Sequence, residues 1–301
     1  MATPLTGRTI LVTGATSGAG LNGAVAWAGL GADVVVGSRS ADRYREVAAQ
    51  IAAGRVHQFI ADLADPASID LALDALERSG VSPTDIVHSA AGGLEPMVRP
   101  LLRAAVAQRK RPPGPEREAV LDKHREEMAK RASAASAMAW RVNVAGPRHL
   151  ITRLAPRLPD GARIITYASI WSALFATGAY PAFYHAVAES KAGLETWLAA
   201  EAPGWSARRI ALTVLIGHIL ADTSTGMLID RNLAPLMSQA DQPEFRSAYI
   251  TTDDLTAAAT RLLLEPDPPT GVLRRAYVLK SGVMLDEIPP DVAAMAARVP
   301  F

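Results

Sequence analysis

The run Thr13-Gly14-Ala15-Thr16-Ser17-Gly18-Ala19-Gly20 stands between a β-branched stretch, 9–12, and an Ala-rich stretch, 21–30. Glycines at this spacing after a strand and before a helix constrain the chain to one kind of unit. Gly14 permits a tight turn, Gly18 lets backbone come close to an anionic group, and Gly20 allows the helix to pack closely on the strand. The helix N-terminus then faces the negative charge. The pattern that follows agrees, because short β-branched runs at 33–36, 56–60, 85–88, 163–167, 210–215 and 276–279 alternate with longer amphipathic segments. Such alternation predicts βαβ units and a seven-stranded parallel sheet covered on both faces.

Composition sets the outer limits. In 301 residues, 49% are apolar, enough for one sizeable core, and no linker or internal repeat divides the chain, so a single domain, 1–301, is expected. With no cysteine, disulfides, thiolate catalysis and the usual zinc sites are excluded. The Met-Ala-Thr-Pro start lacks a basic region leading into an apolar core, and no stretch is apolar over the roughly 20 residues that a bilayer requires. The expectation is a cytoplasmic protein with no membrane partner. A net charge of +1 is too balanced for a chain built around nucleic acid.

The charge is nonetheless uneven. Between Arg99 and Arg131 ten Lys/Arg face five acids, which leaves the rest of the chain four charges negative. This region belongs to an insertion, 94–139, longer than a helix crossover needs, with Pro112-Pro113-Gly114-Pro115 breaking any helix that enters it. A helix, a turn and a second charged helix from about Glu116 to Met138 are expected. The plain reading is a solvated surface insertion. Farther on, 218–250 is read as a substrate lid and 283–301 as a C-terminal tail. The lid carries Leu220, Met227, Leu228, Ile229, Leu233, Leu236 and Met237 on a polar background, which suits an acyl chain or a polyketide-like body.

The three-residue gap from Gly14 to Gly18 resembles the T-G-x-x-x-G-x-G of the short-chain dehydrogenase/reductase family. Other marks of that family recur in order over residues 7–282: Asp62-Leu63, Asp85 through Gly92, Asn143-Val144-Ala145-Gly146, Ser169, and Lys191-Ala192-Gly193-Leu194. The resemblance implies an α/β, Rossmann-type doubly wound fold and a nicotinamide cofactor held by Gly14, Thr16, Ser17, Gly18, Ala19 and Gly20. It further implies Asp62 at the adenine amino group, Leu63 against the ring, Ala90, Ala91 and Gly92 beside the adenosine ribose, and Gly217 and Ile219 near the carboxamide. Lys191 would hydrogen-bond the nicotinamide ribose and lower the pKa of a nearby tyrosine, Ser169 would orient the substrate oxygen with Ser172 as rival, and Asn143 would hold a bulge in the proton path. The chain departs from the family at His88-Ser89-Ala90-Ala91, where Asn-Asn-Ala-Gly is common, at Ile216, where proline is common, and at Lys280-Ser281-Gly282, where Asp-Gly-Gly is usual. A homodimer or homotetramer is implied as well.

At the end of the second predicted strand, Ser38 stands where an acid would meet a ribose 2′-hydroxyl, and Arg39 follows. A guanidinium grips a 2′-phosphate through paired charge-assisted hydrogen bonds, so NADP(H) is the expected cofactor.

The family's Tyr-x-x-x-Lys pair is absent, because Val187 lies four residues before Lys191 and the tyrosine is Tyr184. Three residues of helix shift a side chain roughly 4.5 Å along the axis and about 60° around it. The spacing Tyr-x6-Lys, from Tyr184 through Glu195, resembles the enoyl-acyl-carrier-protein reductases of the superfamily. A displaced donor suits that chemistry, since in an enoyl thioester charge develops on an oxygen several bonds from the carbon that takes the hydride. The sequence reading is thus an NADPH-dependent reductase of an enoyl thioester or enone, with an acyl carrier protein as a partner for the basic stretch. A ketoreductase using Tyr184, and an NADP-binding sensor or cyclase without redox turnover, are the alternatives. His185 and His218 have no partners at metal spacing and are read as polar lining.

Overall fold

Three consecutive valines, Val34, Val35 and Val36, are fully buried in the second strand, which requires cover on both faces of the sheet. The computed structural model describes residues 3–51, 55–112, 114–233, 237 and 241–298, and it provides that cover. Strands β1 (Thr9–Thr13), β2 (Asp33–Ser38), β3 (Val56–Ile60), β4 (Asp85–His88), β5 (Arg163–Ser169), β6 (Ala211–Gly217) and β7 (Leu273–Val278) are all parallel, and β8 (Met284–Leu285) closes the edge, in the order β3-β2-β1-β4-β5-β6-β7-β8. Where β1 meets β4 the strand order reverses direction, and a crevice opens at the carboxyl ends of the strands.

Alternate strand residues serve alternate cores. Ile10, Val12, Val34, Val36, Ile165 and Leu215 pack under helices α1 (Gly18–Gly29), α2 (Ala41–Ala48) and, later in the chain, the helix Thr252–Leu264. Leu11, Val35, Ile86, Ile164 and Leu212 face α3 (Pro66–Arg78) and the helices Gly146–Leu154 and His185–Trp205.

The eighth strand corrects the expected count of seven. After β7 the chain reverses through Lys280–Gly282, where Ser281 (φ 65) and Gly282 (φ 67) take left-handed conformations, and lays Met284 and Leu285 antiparallel on Val278 and Tyr277. Two residues are too few to leave a period in the sequence, yet they shield the exposed edge of β7.

The insertion is a helical hairpin, α4 (Glu95–Lys110) and α5 (Pro115–Trp140), and it is more than a solvated excursion. Met97 and Leu101 of α4 and Met128, Ala135 and Ala139 of α5 enter a third core over the crevice, each large apolar side chain contributing about 1.5–3 kcal/mol by burial. A five-residue π-turn, Arg141–Ala145, joins α5 to α6 (Gly146–Leu154), and α7 (Ile170–Ala173) follows β5. The same core takes Ile170 and Trp171 of α7, Phe183, and Ala186 of α8 (His185–Trp205). From the predicted lid it takes Ile229 of α9 (Ser224–Leu233), Met237, Phe245 of α10 (Asp241–Ser247) and Tyr249. Helix α11 (Thr252–Leu264) then returns to the sheet, and the predicted tail instead forms β8 and α12 (Pro290–Ala297), burying Met295 and Ala296. Leu236 and the side chains of Leu233 and Arg109 lie outside the described residues. Among the described residues no helix is long and apolar enough to cross a membrane.

Candidate functional site

Beyond β1 the backbone turns through Gly14 (φ 67) and Gly18 (φ 52), conformations that favour glycine. Contact makes Gly14 and Gly20 still more restrictive: a Cβ on Gly14 would stand 2.8 Å from the Ala90 backbone, and one on Gly20 would stand 2.3 Å from the Gly14 carbonyl oxygen. The β1 and β4 ends are tied together through Thr13, whose hydroxyl meets His88 Nδ1 at 2.8 Å and accepts from the Ala90 N–H at 3.3 Å. Ser17, the residue before α1, makes no side-chain cap, so the first turn of the helix keeps N–H groups for an anion.

A cavity of about 830 Å³ runs along the strand ends. Thr16, Ser17, Gly18 and Ala19 line it, as do Ser38, Arg39, Asp62, Leu63, Ala90, Ala91, Gly92, Gly217 and Ile219. Gly14 lies in the same lining, whereas Gly20 serves by packing beneath the turn. Ser38 spends its hydroxyl on Ser40, donating to the Ser40 carbonyl at 2.8 Å and accepting its N–H at 3.1 Å. Arg39 is exposed at the rim, with no hydrogen bond or ion pair among the described residues.

At the other end β5 runs two residues past its predicted limit, so that Ser169 ends the strand and caps α7. Ser169 lines the cavity with Tyr184, and its hydroxyl acts on the phenol to offset part of the pKa rise that burial causes. Ser172 is buried and turned away: its hydroxyl donates to the Ser169 carbonyl at 2.6 Å and accepts the Ser169 N–H at 3.0 Å. Tyr184 closes a 3₁₀ turn, Ala182–Tyr184, and occupies the capping position of α8, where its ring lines the cavity. Val187 is buried and does not line the cavity.

Lys191 also lines the cavity, and its Nζ donates to the Tyr167 carbonyl at 2.7 Å. Burial lowers its pKa to about 8. The expectation that this lysine lowers the tyrosine's pKa is not met. Burial raises the Tyr184 pKa and Ser169 offsets only part of the rise, whereas His88, whose pKa falls to about 3 chiefly through its own burial, also feels the Lys191 charge. Asn143 sits in the π-turn, behind the cavity. Its Oδ1 accepts the Gly92 N–H and its Nδ2 donates to the Gly92 carbonyl and to Ser190 Oγ, all at 2.9 Å, so it clamps the β4 loop to α8. A space of about 10 Å³ between Asn143, Lys191, His88 and Glu195 has room for about one water.

The depressed Lys191 pKa has a signed consequence. An unfolded lysine near 10.5 keeps its proton to higher pH than the folded one at about 8, so stability rises with pH across that window and is lowest below it. Unfolding free energies from urea titrations between pH 7.5 and 10 should therefore climb in the wild type relative to Lys191→Met, by on the order of 2–3 kcal/mol overall; parallel curves would contradict the burial.

Three lining residues escaped the sequence reading or were underrated by it: Tyr167, Trp171 and His218. The Tyr167 hydroxyl is buried without a partner among the described residues. Its position was available, since a strand residue two before Ser169 shares the face of Ser169.

Fold and site together define a doubly wound α/β protein with a dinucleotide-type crevice at its switch point. Residues 8–111 match the short chain dehydrogenase family, and the chain as a whole has the fold of those proteins. A probable oxidoreductase from Streptomyces lividans is 41% identical over 91 residues, a stretch that spans 29% of each chain. Among solved structures, a short chain dehydrogenase from Salmonella enterica superposes with a TM-score of 0.64 at 21% identity, covering 91% of this chain and 98% of the other. A 3-ketoacyl-(acyl-carrier-protein) reductase from Brucella melitensis complexed with NADH gives 0.62 at 21% identity, covering 90% and 97%. A further short-chain dehydrogenase/reductase from the same organism gives 0.67 at 16%, covering 96% and 100%. At these identities the likeness is one of fold.

Proposed function

We propose that this protein is an NADPH-dependent reductase of conjugated enoyl substrates, either thioesters or enones. The observation that carries the reading is the placement of Tyr184 in one cavity lining with Ser169 and Lys191, while Val187 is packed out of reach.

The residues fit a dinucleotide. The glycine turn leaves a cradle that a Cβ would fill, the first turn of α1 is uncapped by side chains, and Arg39 is free at the rim. The turn from Gly14 to Ala19 would hold the diphosphate, Asp62 and Leu63 the adenine, Arg39 the 2′-phosphate, and Gly217 and Ile219 the carboxamide end. Lys191 gives one of its three protons to Tyr167 and so keeps two for ribose hydroxyls. The bound cofactor supplies a hydride. Tyr184 then donates a hydrogen bond to the substrate oxygen on which negative charge develops, with Ser169 fixing the phenol's direction. Asn143 holds the β4 loop and α8 in register around Lys191.

A raised phenol pKa favours this chemistry over ketone reduction. Reduction of a ketone needs a group that surrenders a proton to oxygen, whereas an enolate oxygen needs a donor that keeps its proton while Cα takes its proton from solvent to give the saturated product. Assays of crotonyl-CoA against acetoacetyl-CoA should show NADPH oxidation with the first; turnover of acetoacetyl-CoA alone would make the protein a ketoreductase. Absence of NADPH oxidation across both, with tight NADP binding, would favour the sensor or cyclase reading. Exposed Arg99, Lys123 and Lys130 of the hairpin would receive an acidic carrier protein, and a KM for carrier-bound substrate that ignores salt would remove that partner.

Cofactor choice rests on Arg39. Arg39→Ala should weaken NADPH binding about 10- to 100-fold and leave NADH binding unchanged, as read by nucleotide fluorescence titration. Equal loss for both nucleotides would remove the 2′-phosphate from its role.

A further inference from the structure

The substrate end of the cavity has an aromatic wall. Trp171 lies edge-on to Tyr184 at 4.9 Å between ring centroids and 6.5 Å from His218. Behind His218 and outside the cavity lining, Phe245 meets its ring edge-on at 5.5 Å and Tyr249 stacks on it at 5.8 Å. Apart from His218, and the Tyr167 hydroxyl elsewhere in the lining, the polar atoms of these rings are met. Trp171 Nε1 donates to the Ala296 carbonyl at 3.0 Å, the Tyr249 hydroxyl donates to Asp230 at 3.1 Å, and Ser169 acts on the Tyr184 phenol. Both ring nitrogens of His218 are buried with no partner among the described residues, although the residue lines the cavity.

Unmet polar groups in a buried wall cost free energy, and a residue that carries them while lining a ligand cavity is the expected site of a ligand contact. His218 is only partly buried while its nitrogens are wholly so; its exposed surface thus belongs to its other atoms. A half-turn of an imidazole about Cβ–Cγ exchanges each nitrogen with a ring carbon and leaves the ring in the same plane, so the same packing accepts either orientation. Burial lowers its pKa to about 4, so at neutral pH it offers one donor and one acceptor. A plain saturated acyl chain has nothing to give that pair. A flat unsaturated body carrying an oxygen has, and aromatic walls favour flat bodies.

We infer that His218 recognises a hydroxyl or carbonyl oxygen on a planar, aromatic substrate body, remote from the double bond being reduced. The inference rests on reading this cavity as the reductase's substrate site.

The probes are (E)-4-phenylbut-3-en-2-one and its 4-hydroxyphenyl analogue, titrated calorimetrically into the NADP-saturated protein. The hydroxylated enone should bind about 10-fold more tightly. His218→Leu should erase that ratio while still binding NADP and the unsubstituted probe, and His218→Gln, which keeps a donor and an acceptor, should retain part of it. A ratio near one in the wild type, a ratio preserved in His218→Leu, or failure of both probes to bind would overturn the inference. Should His218→Leu lose NADP binding through misfolding, the wild-type and Gln ratios decide. NADPH oxidation reports separately on the reductase reading. A clear oxygen preference without oxidation would sink the reductase and spare His218, whereas oxidation without preference would do the reverse.

Discussion

Replacing Tyr184 by phenylalanine is expected to lower kcat for enoyl or enone substrates about 10²- to 10³-fold, the usual loss when one donor to a developing oxyanion is removed. The NADPH dissociation constant should hardly change, because in the proposed mechanism Tyr184 acts on the substrate oxygen and Lys191 on the cofactor. Stability should hold as well, since the ring keeps its edge-on contacts with Trp171 and Phe183 and loses only the hydroxyl on which Ser169 acts. Stopped-flow reduction with a saturating enone, alongside NADPH titration and thermal unfolding, separates the three effects. A variant that reduces as fast as the wild type would end the enoyl mechanism. Val187→Tyr is the complementary change. It places a bulky phenol in a fully packed position outside the cavity, so it should destabilise the fold without restoring ketone reduction.

Gly20→Ala should be the most damaging single methyl within the glycine turn. The new Cβ would lie 2.3 Å from the Gly14 carbonyl oxygen and 2.8 Å from its carbon. Neither can retreat easily, because Gly14 itself has the Ala90 backbone against it. Relief has to come from opening the turn. Overpacking of this kind costs about 1–3 kcal/mol or more, or roughly 2–12 °C of melting temperature for a chain of this size. The opened turn also withdraws the N–H groups meant for the diphosphate, so nucleotide affinity should drop about 100-fold or beyond, by the two or more charge-assisted hydrogen bonds lost. Gly29→Ala in the same helix is the control. It has nothing within 4 Å and should leave binding intact with equal or slightly greater stability. Wild-type nucleotide affinity in Gly20→Ala, measured by titration, would show that the turn does not hold the cofactor.

What could be read from the chain beforehand follows the range of the forces involved. The seven parallel strands, the glycine turn and the order of the dinucleotide-facing residues are local patterns of period two, period 3.6 and backbone freedom. Strands 56–60 and 85–88 were legible to the residue, because Gly/Pro and polar residues bound them on both sides. The limits of β5, β6 and β7 were less so, since pairing in the middle of the sheet carried β5 to Ser169 and β6 to Gly217. Two-residue β8 has no period at all. The hairpin's burial was likewise hidden: a charged, Ala-rich helix looks solvated until the apolar residues of lid and C-terminus are known to meet it, and those lie more than 80 residues away in the chain.

By itself, the sequence determined the doubly wound sheet, the glycine turn at the crevice of its switch point, and the presence of Tyr184 seven residues before Lys191 with Val187 between them. Tertiary structure alone decided which serine faces the cavity, where the lysine's charge acts, and which histidine lacks a partner. Those outcomes depend on burial and on groups brought together from distant strands and helices. Ser172 is claimed by the Ser169 backbone, Lys191 by the Tyr167 carbonyl, and His218 by a ring of aromatics that offers it no hydrogen bond. Desolvation and hydrogen-bond partnership are properties of the folded neighbourhood, so no spacing along the chain encodes them.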